Sequence, residues 1–74
     1  MLNACILLKV DLPNADRVLD AVKAINGVKK AYQTAGRFDV AVFVEVSDYQ
    51  ELRDLTTLIN GLESVRSTET LPEA

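Results

Sequence analysis

Apolar positions along the chain alternate with period two in some stretches and recur every three to four residues in others. "NACILLKV", residues 3 to 10, is rich in β-formers and reads as a strand. "DLPN" interrupts it, because Pro13 removes a ladder donor and Asn14 is a good helix cap. Val18, Ala21, Val22 and Ile25 then recur at helical spacing, and Asn26-Gly27 closes that helix. "VKKAYQTA" (28–35) and "FDVAVFVEV" (38–46) read as two further strands. Gly36-Arg37 between them suits a two-residue turn in which Gly takes the positive φ. A capping box follows in one of two registers, Ser47 with Gln50 or Asp48 with Glu51. Leu52, Leu55, Ile59 and Leu62 make one helical stripe. "SVRSTETL" (64–71) is the last strand, and "LPEA" reads as a short frayed tail.

The predicted order is βαββαβ, and the chain resembles itself. Shifted by 34 residues, "ILLKVDL" falls on "VAVFVEV", and Val18 and Ala21 fall on Leu52 and Leu55. A doubled βαβ unit of this kind is the ferredoxin-like arrangement. The fold class expected is α+β: a four-stranded antiparallel sheet with two helices on one face, of the dimeric α+β-barrel type. "INGV" (25–28) also matches "INGL" (59–62), yet the second stripe runs on to Leu62. The second helix is therefore expected to carry one added turn. Leu62-Glu63-Ser64-Val65 would then match Ile25-Asn26-Gly27-Val28, with Gly61 near the helix end at some loss of stability.

The sheet faces carry a second message. Ile6, Leu8, Val10, Val40, Val42 and Val44 share the face expected under the helices. The opposite face carries Cys5, Leu7, Ala41 and Phe43. In a lone antiparallel sheet that face should be polar. An apolar patch on so small a domain marks an interface, so Leu7, Ala41 and Phe43 are expected to hold a dimer.

Composition narrows the chemistry. Seventy-four residues make one domain, residues 1–74, with a modest core. There is one cysteine and no histidine, so no internal disulfide forms and no Cys/His set holds zinc. Ser/His/Asp and Cys/His catalysis are excluded by the same count. Asp39 and Glu45 lie near 20 Å apart at about 3.3 Å per strand residue, too far for shared acid/base work. There is no Gly-rich phosphate loop. Neither an enzyme nor a cofactor is expected. Eleven Asp+Glu against eight Lys+Arg give a formal net charge of −3, and the one adjacent basic pair is Lys29-Lys30. Direct nucleic-acid binding is therefore not expected. No signal peptide or membrane-length apolar run is visible, and a lone Cys suits a reducing, cytoplasmic setting.

Two motifs then carry a resemblance. "GRFD" (36–39) followed by an alternating apolar strand, and Val65, Thr68 and Thr70 in "VRSTET", resemble the effector-binding domain of the leucine-responsive regulator/asparagine-regulator (Lrp/AsnC) family, called the RAM domain. "AVKAINGVKKAYQTAG" is similar to that family's first helix and second strand, including Ala31-Tyr32. Asn26-Gly27 and Glu63-Ser64 depart from it where Pro-Glu or Pro-Gly is common. The resemblance implies a dimer with packed sheets, a ring of dimers such as an octamer, and an amino acid bound between dimers near the hairpin. Gly36, Asp39, Thr68 and Thr70 are the ligand residues it implies, with Phe38 an interface anchor. Family members usually carry a DNA-binding helix-turn-helix. This chain starts at its first strand, so a stand-alone domain that mixes with full-length relatives is expected. A cofactor-free enzyme of the dimeric α+β-barrel type and an amino-acid-sensing ACT-like domain share the topology. For Asp39 the structural reading is a turn carboxylate accepting backbone N–H bonds, and for the threonines it is β-propensity at an edge.

Overall fold

Strand β1 (Leu2–Val10) lies inside the sheet and is the longest strand. A short 3-10 turn at Leu12–Asn14 leads into helix α1 (Ala15–Lys23). Strands β2 (Val28–Gln33) and β3 (Val40–Val46) form the hairpin. Helix α2 (Tyr49–Asn60) and strand β4 (Val65–Pro72) complete the βαββαβ order. The structure is a computed structural model and describes residues 1–73. All three strand pairs are antiparallel, and the sheet order is β2-β3-β1-β4. Both helices cover one face of the sheet, as the ferredoxin-like reading requires.

Period-two burial builds the core. Ala4, Ile6, Leu8 and Val10 of β1 alternate into it, facing Val40, Val42, Val44 and Val46 of β3. Val18 and Val22 of α1, and Leu52, Leu55 and Ile59 of α2, close it from above. Asp48 caps α2, its Oδ1 accepting the Glu51 N–H at 2.9 Å, so the second of the two capping registers is the one used. Asn14 stands at the N-cap of α1 but makes no side-chain cap there. Its Nδ2 instead donates to Ser64 Oγ at 3.0 Å, a long-range partner that local capping rules do not foresee.

The repeat holds in detail. Helix α1 has nine residues and α2 twelve, so the second is longer by about one turn. Both end in the same turn, with Val28 N–H donating to Ile25 O and Val65 N–H to Leu62 O. Gly27 takes φ 97° in the first, and Ser64 takes φ 75° at the matching place in the second. Gly61 sits at the end of α2 with ordinary right-handed φ −81°. Alanine should therefore act oppositely at these two glycines. A Cβ on Gly27 meets nothing closer than 3.5 Å, so Gly27→Ala is expected to destabilise through its φ, by about 1–2 kcal/mol. Gly61→Ala is expected to stabilise by about 0.4–1 kcal/mol. Urea denaturation of the two variants checks both signs.

Two expectations need correction. The β2–β3 connection is not a two-residue turn: Thr34 N–H donates to Asp39 O at 2.8 Å, leaving residues 35–38 as a four-residue loop. Thr34 Oγ1 also donates to Phe38 O at 2.8 Å, which holds this wider loop closed. The C-terminal segment is not frayed at its start. Leu71 and Pro72 extend β4 along the long β1, opposite Cys5 and Ala4, and Glu73 N–H donates to Asn3 O at 2.8 Å. Proline fits here because β4 is an edge strand. Ala74, the last residue of the expected tail, lies outside the described residues.

Candidate functional site

Two places in the fold carry more than packing demands: the open sheet face and the end of the β2–β3 hairpin. Residues opposite Cys5 and Leu7 across the ladders define the open face. Cys5 pairs with Phe43 and Leu71, and Leu7 with Ala41 and Glu69, while Tyr32 pairs with Ala41. Leu7, Ala41 and Phe43 thus meet at its centre, as expected. Simple alternation overlooks Tyr32 and Leu71, which are 45% and 48% exposed and widen the patch. In β2 the signal is masked by a bulge between Val28 and Lys30. That bulge shifts the parity of the strand, so Lys30 and Tyr32 join the open face.

Charges frame this patch. The Tyr32 and Phe43 rings stack with centroids 5.8 Å apart, and Lys30 Nζ lies 5.1 Å from the Phe43 centroid. Lys29 Nζ meets Glu45 Oε1 at 3.1 Å at the rim. A shallow groove of about 370 Å³ runs between Cys5, Phe43 and Leu71. Burial pushes the Cys5 thiol up from its usual range, which keeps it a neutral, weakly reactive hydrophobe.

The hairpin end is built differently. Asp39 Oδ2 accepts the Val10 N–H at 3.0 Å, and Asp39 N–H donates to Leu8 O at 2.8 Å. Val10 lies beyond the last β1–β3 pair, Leu8 with Val40, so the carboxylate satisfies an amide that the ladder leaves over. Lys9 Nζ donates to Arg37 O at 2.8 Å and ties the loop to β1 a second time. Phe38 and Asp39 are half-buried, while Gly36 is exposed with φ 111° and open space where a Cβ would stand. Asp39 Oδ1 accepts no hydrogen bond among the described residues. One oxygen of the carboxylate is structural and the other is free.

Thr68 and Thr70 stand elsewhere. They pair with Leu8 and Ile6 and so lie on the helix side of β4. Thr68 Oγ1 donates to Asn60 Oδ1 at 3.2 Å, and the Thr70 and Thr56 hydroxyls are 3.5 Å apart. Within one chain, Gly36 and Asp39 are brought together, and the two threonines are brought together, but the two pairs line no common cavity. Among the described residues there is no group of three or more His, Cys, Asp or Glu side chains suited to a metal ion. No helix there is long and apolar enough to cross a membrane.

A βαββαβ domain with helices on one sheet face, an apolar patch on the other and a latched hairpin joining an edge strand to an interior one belongs to the ferredoxin-like class. The profile of the Lrp/AsnC ligand binding domain matches residues 3–72, and the chain belongs to that family. It is therefore a regulatory, effector-binding type of domain. TTHA0845 from Thermus thermophilus is 29% identical, with a TM-score of 0.96 over 100% of this chain and 94% of that one. The hypothetical protein PHS023 from Pyrococcus horikoshii is 27% identical, with a TM-score of 0.92 over 100% of this chain and 90% of its own. AsnC of E. coli, at 20% identity and a TM-score of 0.91, shares the fold. The match covers 97% of this chain and spans 50% of AsnC. No curated protein sequence matches significantly.

Proposed function

We propose that the domain senses an amino acid and assembles through its open sheet face into dimers, and through its hairpins into rings of dimers. The observation that carries the first half is the Asp39 carboxylate. One of its oxygens is fixed by Val10 N–H, so the other is held in place and free to accept from an α-ammonium group. Gly36 lies three residues away on a loop tied to β1 by Lys9. Its open backbone lets a carboxylate approach the loop amides. A loop latched in this way loses little freedom on binding. Thr68 and Thr70 take part only if their hydroxyls exchange Asn60 and Thr56 for the ligand.

The assembly half rests on the apolar patch around Phe43, with Phe38 as an anchor at the hairpin. Partners in this reading are a second copy, then further dimers up to an octamer, and full-length Lrp/AsnC relatives. A ligand shared between dimers shifts assembly toward whichever state binds it more tightly.

The test uses Asp39→Asn, because the amide oxygen still accepts the Val10 N–H while the negative charge is gone. Calorimetry with the best amino acid from a screen is expected to show at least about tenfold weaker binding, a loss of ~1.4 kcal/mol, in a variant that still folds. Equal affinity in both proteins returns Asp39 to a purely structural role. Native mass spectrometry with and without that amino acid reads the ring.

A further inference from the structure

The internal repeat makes two clefts from one plan. At each end of the gap between the helices, the first turn of one helix faces the turn that ends the other. One cleft, of about 540 Å³, is lined by Ile25, Asn26, Glu51, Asp54 and Leu58. Its twin, of about 240 Å³, is lined by Asn14, Arg17, Val18, Leu62, Glu63 and Ser64. A shift of 34 residues carries Arg17 onto Glu51, and Ile25-Asn26-Gly27 corresponds to Leu62-Glu63-Ser64. The two clefts differ sharply in chemistry. The larger offers charge of one sign. The smaller sets a guanidinium and a carboxylate at one apolar floor.

Three observations on the smaller cleft have no structural necessity. First, Ser64 holds φ 75°, where the matching position of the first repeat uses Gly27. A non-glycine residue there is strained, because its Cβ crowds the backbone, and glycine would remove the strain. Second, Asn14 leaves α1 without a side-chain cap and donates instead to Ser64 Oγ, which fixes that oxygen and leaves its O–H to donate into the cleft. Third, among the described residues neither Arg17 nor Glu63 forms an ion pair; the pairs there are Lys29–Glu45 and Arg66–Asp11.

From these we infer that the cleft between the start of α1 and the α2–β4 turn is a second small-molecule site, for an aliphatic α-amino acid. Arg17 and the Ser64 hydroxyl receive the carboxylate, Glu63 receives the ammonium, and Val18 and Leu62 take the side chain. The size agrees: drug-sized ligands occupy about 300–1,000 Å³, and this cleft suits something smaller. The site is distinct from the hairpin: both meet β1 at its exit, but Asp39 accepts the Val10 N–H from the β3 side, whereas the Ser64 turn accepts the Asp11 N–H from the β4 side.

The probe is L-leucine, followed by amide chemical shifts in the full chain. Shifts are expected at residues 14–21 and 62–65, and they should persist in Asp39→Asn, which disables the hairpin site alone. 4-Methylpentanoate, which lacks the ammonium, and isoamylamine, which lacks the carboxylate, are each expected to bind at least about tenfold more weakly. Arg17→Gln should weaken leucine binding by a similar factor. Ser64→Gly is the decisive variant, since it relieves the strain and removes the hydroxyl. It is expected to melt no lower than wild type and to bind leucine several-fold more weakly. A Ser64→Gly protein that binds as well as wild type overturns the inference, as does the absence of shifts in both segments at about 10 mM leucine. Shifts confined to residues 36–39 overturn it too, while leaving the hairpin reading intact.

Discussion

Phe43→Asp is expected to abolish self-association. Phe43 lies at the centre of the open face, opposite Cys5 on one side and Lys30 on the other, with Tyr32 stacked on its ring. If two such faces pack together, an aspartate there is an unpaired charge out of reach of water, which costs several kcal/mol. A weight-average mass of one chain at micromolar concentration in equilibrium sedimentation is the expected result for the variant, against two or more chains for wild type. Because Phe43 is partly buried in a single chain, the substitution also strains the monomer. Leu71→Lys separates the two effects. Leu71 is 48% exposed in one chain, so lysine there leaves the monomer folded but places a charge in the proposed interface. A wild type that sediments as a monomer ends the dimer reading, whatever the variants do.

The largest effect on the fold itself is expected at Ile6. It is fully buried at the middle of β1, paired with Val42 on one side and Thr70 on the other, and lies beneath the helices. Removing its outer methyl and methylene groups leaves a cavity among residues that cannot close around it, because β1 is held on both edges. Ile→Ala in such a place costs about 2–5 kcal/mol. A domain of 74 residues has about 4–11 kcal/mol in total, at ~0.05–0.15 kcal/mol per residue. Ile6→Ala is therefore expected to lose around half of the stability, and to drop the urea midpoint accordingly. A variant within about 0.5 kcal/mol of wild type would show that the core is organised around some other residue.

How much of this is legible in the sequence depends on whether a feature is periodic or long-range. The strands are legible in Ile6-Leu8-Val10 and Val40-Val42-Val44 because period-two burial leaves a direct trace. The added turn of α2 is legible because the stripe runs to Leu62 while the matching stripe ends at Ile25. The four-residue hairpin loop is not, since its width is set by Thr34 bonding Phe38 O and Asp39 O, contacts that no local turn rule encodes. Local rules give Asn14 to its own helix, yet it holds Ser64, fifty residues on. For Asp39 the sequence leaves open a turn acceptor or a ligand group. The geometry supplies the acceptor role at Val10 and leaves one oxygen unengaged. The lean of Tyr32 and Lys30 toward the open face is hidden by a bulge, which erases parity without altering composition.

The exit of β1 has a use as an observation post. Two consecutive peptide groups there are held from opposite sides: Val10 N–H by the Asp39 carboxylate in the hairpin, and Asp11 N–H by Ser64 O in the α2–β4 turn at 2.9 Å. Deuterium uptake at Val10 therefore follows release of the hairpin latch, and uptake at Asp11 follows release of the other turn. Neighbouring amides at the end of one strand thus act as separate clocks for two loops far apart in sequence, read in a single exchange experiment.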